Sequence, residues 1–299
     1  MKVAITSVCF LFIAGSSVAQ DLEPRAYIRV PVKVNVFTTG FSFSSGGVLT
    51  DPNLPLTNLK ANVGVWSAGY VRSFSFFGLT AQALAALPFV WLKGSALVNG
   101  QEQTGSRSGL GDARLRMSVL LYGAPAYSVR NIPKEIKKTI IGSSLTITAP
   151  TGLNYPNKLI NIGTRRWAFK PELALSQSLG KRQLLDFYTG VWFFTNNGSF
   201  YPGNSMRKQD PVVALQGHYS YTVKANLWVA ADATYYVGGT SYVNDISKND
   251  RLSNSRWGIT AAIPAGKRSA FKLAFSSGIY IVTGTNFTTG SLGWSYSWF

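Results

Sequence analysis

The sequence predicts an all-β fold: a single closed antiparallel transmembrane β-barrel of about 12 strands. Candidate strands fill far more of the region from residue 32 to Phe299 than is usual in globular proteins. Apolar and polar side chains alternate within these strands, and long connections tend to alternate with tight turns. Beyond the N-terminus no apolar run is long enough for a spanning helix, so strands are the predicted means of crossing lipid.

The first residues have the features of a secretory signal peptide over 1–19. Lys2 supplies a positive charge, residues 3–14 form an apolar core, and small residues precede Gln20. The only cysteine, Cys9, lies inside this segment, so we expect a mature chain without disulfides or cysteine metal sites. The predicted barrel then spans 20–299, with 20–31 as an N-terminal plug of the lumen or a periplasmic segment.

The predicted strands, in chain order, are 32–45, 60–73, 78–92, 112–121, 139–149, 166–177, 184–196, 211–222, 227–237, 255–263, 271–281 and 286–299. The alternation is clearest in 112–121, where Asp112, Arg114 and Arg116 share one face and Leu115 and Leu121 the other. Four further strands repeat it, namely 166–177, 227–237, 255–263 and 271–281. The remaining strands alternate more weakly.

The connections predict which end of the barrel faces outward. Most of the outer loops are rich in Gly, Pro, Asn and Ser, as irregular segments need: 46–58, 93–109, 150–164, 197–209, 239–252 and the short 283–285. Tight turns are expected at the periplasmic rim. Residues 123–138 break this pattern as a long periplasmic connection, with one helical turn after Pro133. A tolerated insertion, a small plug or a partner contact would each explain it.

Aromatic side chains gather at the predicted strand ends, as in the interfacial girdles of membrane barrels. At the periplasmic rim they are Phe76, Phe77, Phe187, Tyr188, Tyr219, Tyr221 and Trp228. At the outer rim they are Trp167, Phe193, Phe194, Tyr235, Tyr236 and Trp257. A soluble β-sandwich also has one apolar face per strand, so the aromatic ends and the even strand count favour the membrane barrel.

The net charge of +17 comes from 29 Lys and Arg against 12 Asp and Glu. The basic residues are spread thinly, and a secreted chain rarely meets nucleic acid, so no nucleic-acid partner is expected. The excess fits the phosphates of outer-leaflet lipopolysaccharide or a lumen that attracts anions. The expected partners are therefore outer-membrane lipids, including lipopolysaccharide, and small-molecule solutes. The oligomeric state does not follow from the sequence.

The region from Gly109 to Pro264 resembles the phenol-degradation meta-pathway family of outer-membrane transporters. The blocks that carry the resemblance are GLGDARLRMSVLLYGAPA (109–126), APTGLNYPNKLINIGTRRWAFKPELALSQ (149–177), DFYTGVWFFTNN (186–197), QDPVVALQGHYSY (209–221) and DATYYVGG (232–239). The resemblance implies an outer-membrane β-barrel linked with uptake of aromatic or other poorly soluble compounds. Arg165 departs from the family pattern, which more often has Asn before the Arg-Trp pair.

If the apolar faces contact lipid, the opposite faces line the lumen. The lumen-lining candidates are Asp112, Arg114, Arg116, Arg166, Lys170, Glu172, Asp186, His218, Asp232, Arg256 and Lys272. Two interpretations remain open. The charges can form a constriction that orients solutes, as charged rings do in pores. They can instead pair with one another and merely fill a narrow barrel.

No catalytic, cofactor or metal site is predicted. His218 and Ser220 share a face, with Asp210 at the start of their strand, but residues two apart on a strand are about 6–7 Å apart, too far for a direct hydrogen bond. The stretch GSRSGLG (105–111) lacks the Gly-Lys-Ser/Thr ending of a phosphate loop. The acidic residues of the predicted loops are too sparse for a calcium site.

The predicted function is a channel or transporter for passive or facilitated uptake of small molecules, hydrophobic or aromatic ones among them. The predicted location is the outer membrane of a Gram-negative bacterium, after secretion through the inner membrane. A structural or adhesive barrel with a closed lumen is the main alternative. An outer-membrane lipid hydrolase is a remote one.

Overall fold

The computed structural model describes residues 22–49, 56–98, 101–131, 137–158, 161–201 and 203–299, so the predicted signal peptide (1–19) lies outside it. Its strands are β1 (Asn35–Leu49), β2 (Leu56–Phe76), β3 (Leu79–Val98), β4 (Gln101–Leu110), β5 (Ala113–Tyr122), β6 (Thr139–Ala149), β7 (Ala168–Ser178), β8 (Gln183–Phe194), β9 (Asn197–Phe200), β10 (Ser205–Gln209), β11 (Val212–Lys224), β12 (Leu227–Gly238), β13 (Ser241–Val243), β14 (Ile246–Ser247), β15 (Leu252–Pro264), β16 (Ser269–Tyr280) and β17 (Gly284–Trp298). Within these residues no helix is long and apolar enough to cross a membrane.

Twelve strands form one closed antiparallel ring. Each pairs with the next in the order β1, β2, β3, β5, β6, β7, β8, β11, β12, β15, β16 and β17. The first and last strands close the ring by pairing from Asn35↔Trp298 to Leu49↔Gly284. The predicted twelve-stranded barrel is therefore confirmed.

The barrel wall is apolar outside and polar inside. Leu115, Leu173 and Val229 are 47%, 57% and 41% exposed, whereas the adjacent Arg116 and Glu172 are buried in the interior. A soluble sandwich would bury the apolar set, because water penalises exposed apolar surface. This inverted arrangement is the one that a lipid environment stabilises.

The prediction of an outer loop at 93–109 is wrong. Strand β3 continues to Val98, and β4 pairs with it from Phe89↔Leu110 to Val98↔Gln101. The side chains of β4 are nearly all exposed. Neither face of β4 is buried, so its sequence has no apolar alternation that could reveal a strand.

The predicted loops 197–209 and 239–252 also contain strands. Strands β9, β10, β13 and β14 form a separate four-stranded sheet in the order β14-β13-β10-β9. These strands are only two to five residues long. Segments this short do not show a reliable alternation, so their loop-like composition dominates the prediction.

The aromatic residues of the predicted girdles divide between the two faces of the wall. Those exposed on the outside are Phe76, Phe77, Phe187, Tyr219, Trp167, Phe193, Tyr235 and Trp257. Tyr188, Trp228 and Tyr236 are buried inside the ring instead. Neighbouring residues of a strand point to opposite faces, so Phe187 and Tyr188 could not both belong to one girdle.

The long connection between β5 and β6, predicted at the periplasmic rim, is described over 123–131 and 137–138, which leaves the predicted helical turn after Pro133 outside the described residues. Its first part folds back along the barrel end. Ala126 N donates to Gly78 O (2.8 Å), and Val32 N donates to Tyr127 O (2.8 Å). The connection thus links the turn between β2 and β3 to the chain that precedes β1.

We predict that Leu173→Arg prevents stable assembly in a bilayer. A cation near the middle of the lipid face of a barrel costs about 2–4 kcal/mol. Ile246→Arg is the control, because Ile246 is 65% exposed in β14 of the four-stranded sheet outside the ring. Heat-modifiable gel migration and unfolding in lipid vesicles measure the effect. Equal behaviour of the two variants would contradict the assigned lipid face.

Candidate functional site in the barrel lumen

Residues 22–34, here called the N-terminal segment, lie against the inner wall of the ring. Tyr27 is fully buried and packs in one apolar cluster with Leu120, Ile140 and Tyr188. The rings of Tyr27 and Tyr188 meet edge to face, with centroids 5.1 Å apart. Arg25 has a φ of +64°, which gives the segment the tight turn it needs to fit inside the barrel.

Two glycines of the wall make room for this segment. A Cβ atom added at Gly142 of β6 would overlap the Tyr27 ring. A Cβ atom at Gly258 of β15 would lie 2.5 Å from Leu22 Cδ1. Glycine inside a strand commonly marks a place where another part of the protein approaches closely. The wall and the segment are thus complementary in shape.

A buried charge cluster joins the segment to the wall. Arg116 forms ion pairs with Glu23 of the segment and with Glu172 Oε1, the second at 3.1 Å. Lys170 Nζ lies 2.9 Å from Glu172 Oε2. The Tyr27 hydroxyl donates to Glu172 Oε1 (2.8 Å). Because a buried charge is costly unless it is paired, these contacts hold one another in place.

A second polar cluster contains His218. Cross-strand register places His218 opposite Asp186 on β8 and opposite Asp232 on β12. His218 Nδ1 lies 2.7 Å from Asp232 Oδ1, and the Thr260 hydroxyl donates to Asp232 Oδ2 (2.6 Å). The Asp186 carboxylate instead contacts the N-terminal segment, because Arg25 N donates to Asp186 Oδ2 (3.1 Å). The two acidic residues that flank His218 therefore have different partners.

The end of the lumen opposite to the tight turns, which the sequence predicts as the outer end, has its own contacts. Asp112 accepts hydrogen bonds from Gly152 N (2.8 Å) and from the Thr164 backbone N (2.8 Å) and hydroxyl (2.7 Å). Asp112 therefore fixes the connection between β6 and β7. Arg166 donates to Gln209, and its guanidinium lies 4.2 Å from the Phe194 ring centroid. Burial and repulsion from Arg207 both lower the pKa of Arg166.

The other predicted candidates also point inward. Arg114, Arg256 and Lys272 are buried in the wall. Arg256 Nη2 donates to Phe287 O (2.7 Å). Most of the predicted candidates thus lie on the inner face. Asp112 instead binds the connection between β6 and β7, and Arg166 lies before the first residue of β7. Whether a solute contacts them stays a prediction.

The sequence predicts 20–31 as a plug of the lumen or a periplasmic segment, but it does not indicate which residues of this segment contact the wall. Glu23, Arg25 and Tyr27 lie outside any strand, so no alternation indicates their direction. The glycines at 142 and 258 were the available signals, because both interrupt the wall of side chains inside otherwise regular strands.

His218, Ser220 and Asp210 do not form the catalytic triad of a hydrolase. Asp210 is exposed and accepts a hydrogen bond from the Tyr242 hydroxyl (3.2 Å), while His218 contacts Asp232 and Gln216. The Ser220 hydroxyl has no hydrogen-bond partner among the residues that the structure describes. A serine–histidine hydrogen bond is the geometric mark of such a triad, and His218 and Ser220 do not form one.

Comparisons with known proteins place the chain in a family. The family model described as "Putative MetA-pathway of phenol degradation" matches residues 38–298. An outer membrane channel from Pseudomonas putida F1 has a TM-score of 0.81 at 18% identity, covering 93% of this chain and 100% of that one. No curated protein matches the sequence significantly.

Two autotransporter domains share the barrel architecture more distantly. The transport unit of AIDA-I from Escherichia coli has a TM-score of 0.53 at 11% identity and covers 94% of each chain. The beta domain of the Bordetella autotransporter BrkA has a TM-score of 0.51 at 12% identity, covering 89% of this chain and 100% of that one. At these identities the likeness concerns the fold. The family match extends over most of the sequence, so the chain belongs to the family of the MetA pathway of phenol degradation.

Proposed function

We propose that this protein is an outer-membrane channel of a Gram-negative bacterium, through which small molecules pass by passive or facilitated diffusion into the periplasm. The observation that carries the proposal is a charged lumen occupied by a short segment that belongs to no strand of the ring. Rings of charged side chains orient solutes in pores. A twelve-stranded barrel has a limited bore, and the N-terminal segment narrows it further, which favours a gated conduit over a general porin.

The connections support the orientation of this channel. Tight turns follow β2, β7, β11 and β15 at one end, the longest of them residues 179–182 and 265–268. The hairpin β3–β4 and the four-stranded sheet lie at the opposite end. In outer-membrane barrels the short turns face the periplasm and the long connections face outward. The N-terminal segment then enters the lumen from the periplasmic side, since Lys33 N donates to Ser73 O near the end of β2 (2.9 Å).

The proposed cargo includes small hydrophobic or aromatic molecules. The family description refers to phenol degradation, and the similar Pseudomonas putida structure is an outer membrane channel. The inner wall also carries aromatic surface at Tyr188, Trp192, Trp228 and Tyr236, beside the charged residues. Aromatic rings contact both apolar solutes and cations favourably. Such a wall suits molecules with one apolar part and one polar part.

Lipopolysaccharide is the proposed lipid partner at the outer end. Exposed basic residues there include Lys60, Lys93, Lys158 and Arg251. Ammonium and guanidinium groups attract phosphate. We expect binding to vesicles containing lipopolysaccharide to exceed binding to neutral vesicles and to weaken as salt is raised. Binding that ignores lipopolysaccharide content would remove this partner.

A closed structural barrel is the second candidate, and one observation favours it. Tyr27 is 0% exposed, and the carboxylate of Glu172 is matched by both Arg116 and Lys170. A lumen filled in this way needs no solute. Conductance in planar bilayers separates the two candidates, because a structural barrel stays silent whatever is done to the N-terminal segment.

We predict that Gly142→Val raises single-channel conductance. The added side chain overlaps the Tyr27 ring and displaces the segment from its position. Gly217→Val is the matched control, since a Cβ at Gly217 of β11 makes only ordinary contact with the Phe187 side chain at 3.8 Å. The wild type and the control should share one low conductance level. Silence of all three proteins would favour the structural barrel.

We predict that Glu172→Gln lowers the free energy of unfolding in lipid vesicles by about 3–5 kcal/mol, because it leaves buried cations without their carboxylate. The control is Asp245→Asn, whose ion pair with Lys208 is exposed (side-chain exposures 79% and 45%) and for which a change below about 1 kcal/mol is expected. Urea titrations followed by tryptophan fluorescence measure both. Equally small changes would indicate that water already screens the Glu172 cluster.

A further inference from the structure

The outer end of the lumen contains a cavity that the N-terminal segment does not contact. Its volume is about 220 Å³, and its lining comes from the outer ends of β12, β15 and β17 and from Ile281, just beyond β16. An apolar cavity of about 150 Å³ in another protein holds benzene. This cavity therefore has room for a single ring with a substituent.

Apolar side chains form much of the cavity lining. Leu252, Ile281 and the ring of Tyr236 face it. Gly284, which also lines it, has a φ of +89° and carries no side chain that would reduce the space. Apolar surface of this kind binds the apolar part of a ligand by removing it from water.

The charged residue in the cavity lining is Arg256, which is 3% exposed. Its Nη2 donates to Phe287 O (2.7 Å) and lies 3.3 Å from Ser276 Oγ. Its Nε and Nη1 groups have no acceptor among the described residues. Arg116 and Lys170, in contrast, share the Glu172 carboxylate. Among the described residues, the hydrogen-bond acceptors of this buried cation are thus a backbone carbonyl and a hydroxyl.

The cavity is built in advance of any ligand. Asn254 Nδ2 donates to Thr283 O (2.7 Å), and Asn254 Oδ1 accepts from Val282 N (2.9 Å). The Thr283 hydroxyl donates to Arg251 O (2.7 Å). These bonds hold the connection between β16 and β17 against β15 and fix the rim of the cavity. A preformed site loses little entropy when a ligand binds.

We propose that this cavity binds small molecules that combine one apolar ring or chain with one carboxylate, and that Arg256 receives the carboxylate. A guanidinium with unused N–H donors, buried beside apolar walls, matches that combination. The proposal rests on the channel function proposed above and specifies its solutes: the cavity selects apolar monoanions at the outer entrance, before they reach the N-terminal segment.

Equilibrium binding of benzoate and of the neutral benzamide to the full mature protein in detergent tests the proposal. Calorimetry should show benzoate binding at least tenfold more tightly than benzamide. Arg256→Gln should weaken benzoate binding at least tenfold and leave benzamide unchanged. Lys224→Gln, which changes an exposed lysine at the end of β11 opposite to the cavity, is the control and should keep the benzoate affinity.

A second variant keeps the test decisive if Arg256→Gln does not fold, as judged by heat-modifiable migration. Leu252→Trp fills the cavity and should abolish binding of both compounds. Equal affinities for benzoate and benzamide, no binding of either, or an unchanged benzoate affinity in the Arg256 variant would overturn the proposal. Benzoate binding without conductance would refute only the channel, whereas conductance without benzoate binding would refute only the cavity.

Discussion

Closure of the sheet is the constraint on which the rest of this structure depends. Inside a bilayer no water is available for backbone N–H and C=O groups, so an open sheet edge is not tolerated. Pairing of β1 with β17 from Asn35↔Trp298 to Leu49↔Gly284 removes that edge. Once the ring is closed, the two-residue period of each strand commits every second side chain to the lumen. The alternation of side chains along the twelve strands therefore determines which residues fill the interior of the barrel.

The alternation of side chains brings several cations into the lumen, and Glu23 of the N-terminal segment pairs with one of them. Arg116 and Lys170 share one wall carboxylate, Glu172, and the segment adds Glu23 to this cluster. Glu23 thus supplies one local negative charge, while Arg25, Arg29 and Lys33 give the segment as a whole a net charge of +2. Arg256 contacts neither carboxylate. Arg116 and Lys170 thus have carboxylate partners, whereas Arg256, near the opposite end of the lumen from the β11–β12 turn, is bonded to a backbone carbonyl and a hydroxyl.

The sequence predicted the elements that have a lipid face and a lumen face. The predicted strand 112–121 agrees within one residue with β5 (Ala113–Tyr122), because Arg114 and Arg116 alternate with Leu115 and Met117. The hairpin partner β4 was missed, since its polar residues face solvent on both sides. The same alternation predicts which site residues point into the lumen, but not which residues they contact. The contact of Asp112 with the β6–β7 connection and that of Glu23 with Arg116 could not be predicted. Both involve segments outside the strands, which show no periodicity.

The way the N-terminal segment is held decides between a gate and a permanent filling. Its end near β1 is fixed by backbone hydrogen bonds, from Val32 N to Tyr127 O and from Lys33 N to Ser73 O. The part inside the lumen relies instead on side chains of the wall, such as Asp186 and Glu172. Individual hydrogen bonds contribute about 0.5–1.5 kcal/mol each, and none of these belongs to the strand ladder. Release of the inner part would also break the Glu23–Arg116 ion pair and expose Tyr27, but it would break no bond of the strand ladder, so the ring would stay closed, as the proposed gate requires.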